Sequence, residues 1–374
     1  MMELSTWLED IYTKTEKKIE ATCKRVGNKI PYIPTDGKYT DKGDDNVSWW
    51  TNGFWGGILW QLYNTTGKDL YRQTANNLEA RFDVALDEFS RLHHDVGFLY
   101  LHTAIANINL TGGSEKSKSR ALHAANILSG RYNPNHKYIL AWDYESKGWM
   151  IIDTMMNLPL LYWAAEELGR PFYKSIANNH ADTVMEFLLR PDGSSNHLVV
   201  LDQHTGVLVE TPGGQGYESG SSWSRGQAWT LYGFALTYIH TKEQKYLDAA
   251  KRMAHYFIAN VVKTGYVPLC DFRAPAEPVL YDTTAGGCAA CGLLAIADLV
   301  GEHEKALYKD AAVEMIKALA EKHADFDPET DGIISHGTTA YHDLPGRHVP
   351  IIYGDYFFVE GLLRLMGKDV FLWG

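Results

Sequence analysis

Two aspartates draw attention because each opens a stretch that reads as a buried helix. Asp95 falls in RLHHDVGF, directly after the imidazoles of His93 and His94. Asp153 follows GWMII, an apolar lead-in that would strip water from a carboxylate. Two carboxyls facing one pocket are the usual equipment of glycoside chemistry, where one must hold a proton near neutral pH. Burial and a neighbouring negative charge raise a carboxyl pKa, while a helix N-terminus opposes them, so the balance stays open on sequence alone. The plainer alternative is that both are helix N-caps, a position Asp favours for its own sake.

Other residues of the same chemistry lie nearby. Trp49, Trp50, Phe54 and Trp55 crowd Asn52, Trp142 precedes Asp153, and Trp223 and Trp229 flank Arg225. Most tryptophans of a helical protein pack in its core. Trp50, Trp142 and Trp223 lie outside helix interiors, where a ring can stack on a sugar face. The loop TPGGQGYESGSSWS (211–224) holds four glycines, which let backbone approach a ligand closely. Arg225 and Trp229 are four apart and share a helical face. A guanidinium there would clamp a carboxylate or pair with a rim aspartate.

These residues are positioned by a recurring pattern. A polar residue opens an apolar, small-residue helix, and a turn leads to a second, amphipathic helix. The openers are Asn52, Asp95, Asp153, Arg225, Asp282 and Asp355, and Asp282 and Asp355 read equally well as plain caps. Helices that are apolar all round belong inside, and those with one charged face belong outside. Six of each, with the N-terminal helix as the left-over outer partner, predict an all-α fold. It is an (α/α)6 barrel, a six-hairpin toroid, built as a single domain over residues 1–374. The β-prone pieces at 197–210 and 266–270 predict short β-hairpin loops. All six openers should then meet at one mouth, where helix N-termini favour an anionic ligand.

Composition excludes several classes. A net charge of −11 argues against nucleic acid, which needs a basic stripe. No apolar run approaches the ~18 residues of a membrane span. The N-terminal segment lacks the apolar core of a signal peptide, and four cysteines are too few to staple a chain of 374 residues, which predicts a cytoplasmic location. Cys288 and Cys291 form a CxxC inside AGGCAACGLLAIADL, which reads as helix packing. No metal or organic cofactor is expected, because the histidines lack HExxH or another ligand spacing.

The segments HHDVGF (93–98), IIDTMMNLPLLYWA (151–164), SSNH (194–197), SRGQAWTLYGFAL (224–236) and GDYFFVEGLLRL (354–365) are similar to those of unsaturated glucuronyl hydrolases, glycoside hydrolase family 88. The resemblance spans nearly the whole chain and implies the (α/α)6 barrel. It also implies a substrate made by polysaccharide lyases, an oligosaccharide ending in a 4,5-unsaturated uronic acid. In such enzymes an aspartic acid protonates C4 and activates water to add at C5, after which the hemiketal opens and the aglycone leaves. Carried over, Asp153 is the acid/base and Asp95 the second essential carboxylate. His94, Trp50, Asn52, Trp142, His197, Gln215, Arg225 and Trp229 would bind substrate. Asn52 stands where some members have Asp, and Gly214 replaces a His found in others. A Ser-x-x-Ser-x-Lys cluster of some relatives that prefer sulfated disaccharides is absent, the stretch reading AYHDLP (340–345), which leaves sulfate preference open. The competing readings are an unsaturated rhamnogalacturonyl hydrolase acting on pectin fragments and a non-catalytic sugar-binding barrel.

Overall fold

A computed structural model describes residues 3–144 and 147–374. Helix α1 (Leu4–Val26) lies outside, and the short α2 (Lys42–Asn46) precedes a 3-10 turn, Trp50–Gly53, that opens inner helix α3 (Phe54–Thr66). Outer α4 (Asp69–Arg81) and α5 (Asp83–Asp87) lead to an inner segment made of α6 (Val96–Tyr100), a π-turn at Leu101–Ile105, and α7 (Ala106–Thr111). Outer α8 (Glu115–Gly130) follows, then a 3-10 turn at Ile152–Met156 that opens inner α9 (Leu158–Leu168). Outer α10 (Pro171–Phe187), inner α11 (Ser224–Thr241), outer α12 (Gln244–Val261), inner α13 (Thr283–Leu299), outer α14 (Glu302–Lys322) and inner α15 (Ile352–Met366) complete the chain. Inner α15 packs on inner α3 and on outer α1, which closes the ring. The fold is the expected (α/α)6 barrel. No described helix is long and apolar enough to cross a membrane.

The inner and outer roles follow from burial. Helix α13 is buried without a break from Thr283 to Ala297, whereas α12 buries a single stripe containing Tyr246, Ala250, Met253 and Phe257. Helices enclosed on both sides approach closely only through small residues. A Cβ on Gly292 would lie 2.3 Å from Leu231 Cδ1, and one on Gly53 would lie 2.2 Å from the Phe98 carbonyl oxygen. Cys288 and Cys291 are buried in this same packing, and all four cysteines are free. One hydrophobic cluster runs from Leu8 to Trp373.

Two expectations need correction. YVPLC (266–270) is no hairpin strand: Leu269 forms an isolated bridge with Tyr281, and the Cys270 carbonyl accepts the Ser224 N–H at 2.9 Å, tying the starts of α11 and α13 together. Conversely, the supposed lead-in GWMII contains a strand. After the small ribbon β1 (Tyr132–Asn133) with β2 (Tyr138–Ile139), strand β3 (Gly148–Ile151) pairs antiparallel with β4 (Leu198–Leu201), which forms the expected hairpin with β5 (Leu208–Glu210). Ile151 pairs with Leu198, so the next residues along, Ile152 and His197, also meet, and the Ile152 N–H donates to the His197 carbonyl at 3.0 Å. Pairing two distant segments thereby sets His197 beside Asp153.

Replacing Gly53 by Ala pushes a methyl against backbone that has no rotamer to yield. Gly53→Ala should cost about 1–3 kcal/mol of stability, read as a lower midpoint in chemical denaturation.

Candidate active site

The inner-helix N-termini surround a cavity of about 350 Å³. Its wall includes Trp50, His94, Asp95, Trp142, Asp153 and Gln215 from the sequence-based set. Asn52, His197, Arg225 and Trp229 do not line it. The structure separates candidates that face the cavity from candidates that support its wall.

Neither catalytic candidate caps its helix. Asp95 occupies the N-cap position of α6, yet its side chain caps no backbone N–H, and Asp153 sits in a 3-10 turn with no side-chain cap. Both are nearly buried, 7% and 6% exposed. The Asp95 carboxylate faces His94 Nε2 at 3.2 Å and His93 Nδ1 at 3.7 Å, and accepts from Asn157 Nδ2 at 3.5 Å. The other nitrogen of His94, Nδ1, lies 3.1 Å from the Ala141 carbonyl. A carbonyl only accepts, so Nδ1 carries a proton. Burial would lower the His94 pKa and raise that of Asp95. The charge and hydrogen bond each offers the other outweigh burial, raising His94 and lowering Asp95. His93, stacked on His94 at 4.8 Å, is driven to about 4 by burial and the His94 charge, and is neutral at pH 7.

Asp153 is held differently. His197 Nδ1 accepts the Gln215 backbone N–H at 3.0 Å, so its proton is on Nε2, which faces Asp153 Oδ2 at 3.4 Å. Among the described residues that oxygen accepts no hydrogen bond. Gly214 makes this arrangement possible: it has φ +60°, and a Cβ there would lie 2.1 Å from His197 Nδ1.

The remaining candidates build the wall. Asn52 donates to the carbonyls of Asn46 and Val47, both at 3.0 Å, and so fixes the approach to Trp50. Trp50 stacks on Tyr353 at 5.0 Å. Arg225 is fully buried, paired with Asp282 and donating to the Thr338 and Thr339 carbonyls at 2.7 and 2.6 Å. Its pairing with a rim aspartate, not a clamp on ligand, is what the structure shows. Trp229 lies one turn deeper in the core, 5.5 Å from both Phe98 and Phe357. Trp223 is buried as well, its ring 4.2 Å from His197 and 4.5 Å from the Arg225 guanidinium, and offers no face to the cavity. Asp282 caps α13 through the Thr284 N–H at 3.2 Å. Asp355 lies inside the first turn of α15 and accepts the Ile333 and Ile334 N–H groups, a loop anchor whose carboxyl burial pushes up to about 6.

Several lining residues escaped the sequence reading: Tyr32, Thr339, Asp343 and Tyr353. Tyr353 immediately precedes GDYFF, but nothing in the pattern marks it. Asn157 was also missed. Its Oδ1 accepts the Phe98 N–H at 2.9 Å and its Nδ2 donates to the Asp153 carbonyl at 3.1 Å, joining the two carboxylate-bearing turns. Its place four residues after Asp153 is a readable signal. Among the described residues, the ligating atoms of His93, His94 and Asp95 alone gather closely enough for a metal, within 4.8 Å. A metal there would have to displace the proton that the Asp95 pairing holds on His94 Nε2.

The chain matches the Glycosyl Hydrolase Family 88 model over residues 22–264. It is 40% identical over 353 residues to an unsaturated glucuronyl hydrolase of Bacillus sp. (strain GL1), covering 91% of this chain and 92% of that one. An unsaturated chondroitin disaccharide hydrolase of Streptococcus pyogenes serotype M1 is 33% identical over 336 residues, covering 86% and 82%. The crystal structure of the Bacillus sp. GL1 unsaturated glucuronyl hydrolase, responsible for the degradation of glycosaminoglycan, superposes with a TM-score of 0.91 at 38% identity over 98% of each chain.

The His94–Asp95 pair makes a pH-dependent contribution to stability. The lowered Asp95 pKa stabilises the fold above its ordinary value of 3.8, and the raised His94 pKa stabilises it below 6.5. The stability gap between the wild type and His94→Gln should therefore be widest between those values. It should narrow as pH rises through the folded pKa of His94 or falls through that of Asp95. Denaturant midpoints measured across pH test this, and a gap that widens above neutrality contradicts the pairing.

Proposed function

The chain belongs to glycosyl hydrolase family 88, and from that premise we propose how its barrel mouth works. It is a glycosidase that releases 4,5-unsaturated glucuronic acid from the non-reducing end of lyase-generated oligosaccharides such as those of glycosaminoglycans. Asp153 acts as the acid/base. Its protonated carboxyl gives a proton to C4 of the enol ether, and its carboxylate then takes a proton from the water that adds at C5. The C5 hemiketal opens, the bond to the aglycone breaks, and no covalent sugar–enzyme link forms. The observation that carries this assignment is the contrast between the carboxylates. Asp95 is engaged with His94 and Asn157, while Asp153 Oδ2 accepts no hydrogen bond among the described residues and faces the Nε2 of His197 at 3.4 Å.

Asp95 supplies fixed negative charge and acceptors for ring hydroxyls. Trp50 and Trp142 offer ring faces and Gln215 a polar edge from the cavity wall, where His94 acts through the Asp95 carboxylate it holds. Asn52, His197, Arg225 and Trp229 act on substrate through the groups they hold. Residues 1–374 are read as one catalytic domain, supported by the continuous core from Leu8 to Trp373. Four buried, unpaired cysteines support a cytoplasmic setting.

The substrate's conjugated double bond is its own reporter. Addition of enzyme should bleach the ultraviolet absorbance of unsaturated disaccharides, and Asp153→Asn should slow the loss by about a thousandfold or more. A panel of chondroitin, hyaluronan, heparin, xanthan and pectin lyase products ranks the aglycones. Tight binding with no bleaching across the panel would replace this reading with a silent sugar-binding barrel.

A further inference from the structure

Three consecutive side chains at the cavity are arranged as a set of ligands. Asp95 divides its two oxygens: Oδ1 accepts from Asn157 Nδ2 at 3.5 Å, and Oδ2 faces both His94 Nε2 at 3.2 Å and His93 Nδ1 at 3.7 Å. The ligating atoms of the three residues lie within 4.8 Å of one another. A tetrahedral ion bound at about 2.0–2.1 Å holds its ligands roughly 3.4 Å apart. Two sides of this triangle are therefore close to the needed length, and small turns of the imidazoles close the third.

The ligands also have the outer support that metal sites need. His94 gives its Nδ1–H to the Ala141 carbonyl at 3.1 Å, which fixes the ring and turns Nε2 toward the triangle. Asn157 fixes the Asp95 carboxylate in the same way. His93 Nδ1 is buried, and among the described residues it has no hydrogen-bond partner. The His93 ring lies on His94 at 4.8 Å and borders the cavity, which gives an ion a way in from solvent. The cavity itself draws cations: Asp95, Asp153 and Asp343 line it, and among the described residues no lysine or arginine does.

We propose that His93, His94 and Asp95 form an inhibitory site for a divalent transition ion of the zinc class. Two imidazole nitrogens and one carboxylate oxygen suit Zn²⁺, Co²⁺ or Cu²⁺, whereas Mg²⁺ and Ca²⁺ take oxygen ligands. The ion replaces the proton on His94 Nε2, which passes to water, and its fourth position faces the cavity. That the site inhibits rests on the hydrolase reading above. The ion occupies Asp95 Oδ2, an acceptor offered to ring hydroxyls, so ion and substrate compete for one atom. The competition raises KM and leaves kcat alone, because enzyme that has released the ion turns over normally.

The experiment pairs the ultraviolet assay with a cobalt spectrum. In the wild type, Zn²⁺ should raise KM for an unsaturated disaccharide at unchanged kcat, a chelator should restore it, and Mg²⁺ or Ca²⁺ at the same concentration should have no effect. His93→Phe keeps a ring on His94 and should turn over normally without metal, with a Zn²⁺ inhibition constant at least about tenfold higher. Co²⁺ reports the site without substrate: bound in a four- or five-coordinate set, it should give visible absorption that Zn²⁺ displaces. His93→Phe and Asp95→Asn should each abolish that absorption. No inhibition by Zn²⁺, activation by it, inhibition unchanged in His93→Phe, or a cobalt spectrum that survives both substitutions overturns the proposal. Failure to turn over any disaccharide would instead strike the hydrolase reading, and the cobalt spectrum would still decide whether the three residues bind the ion.

Discussion

A helix enclosed by two neighbours and an outer partner has no wet side, and that constraint governs this molecule. The inner helices must be apolar all round, and they must carry small residues where they touch, as Gly53 does against Phe98 and Gly292 against Leu231. Among the described residues, charge buried on them is hydrogen-bonded within the ring or reaches the mouth. Glu360 on α15 bonds to Tyr232 and Trp373, and Arg225 on α11 pairs with Asp282. Asp95 and Asp153 reach the cavity. The location of the chemistry is thus a consequence of ring closure, not an addition to it.

The Arg225–Asp282 pair shows how the same constraint builds the wall. Both side chains are fully buried, so removing either would leave a charge that water cannot reach, at a cost of about 3–5 kcal/mol. The guanidinium also takes the Thr338 and Thr339 carbonyls, which fixes a loop that arrives more than a hundred residues later in the chain. Gln215 Nε2 donates to the same Thr339 carbonyl at 2.7 Å. The cavity edge is therefore suspended between α11, α13 and the glycine-rich loop.

That suspension explains what was legible in the sequence. Helix order, inner and outer roles and the mouth as the site follow from periodicity, because each inner segment carries its burial pattern within about a dozen residues. The six openers share one sequence pattern, within which the surroundings of Asp95 and Asp153 already set those two apart, and packing divides them in the same way. Asp95 and Asp153 face the cavity, while Asp282 and Asp355 hold backbone. Arg225 and Trp229 do share a helical face, but that face is turned into the ring. What could not be read is every contact set by distant pairing: β3 with β4, which brings His197 to Asp153, and the 338–343 loop, which supplies Thr339 and Asp343. Neither segment carries a local pattern that names its partner.

The two carboxylates end in environments that no propensity distinguishes, and the difference decides which can do the work. A group that must first give a proton and then take one back has to pass through both charge states without dismantling its surroundings. Asp95 cannot: protonating it would leave the His94 cation unmatched in a buried site, with Nδ1 already committed to Ala141. Asp153 can, because its Oδ2 faces a neutral His197 whose proton is fixed on Nε2 by the Gln215 N–H. The locked carboxylate holds the field of the cavity constant, and the unlocked one is free to cycle.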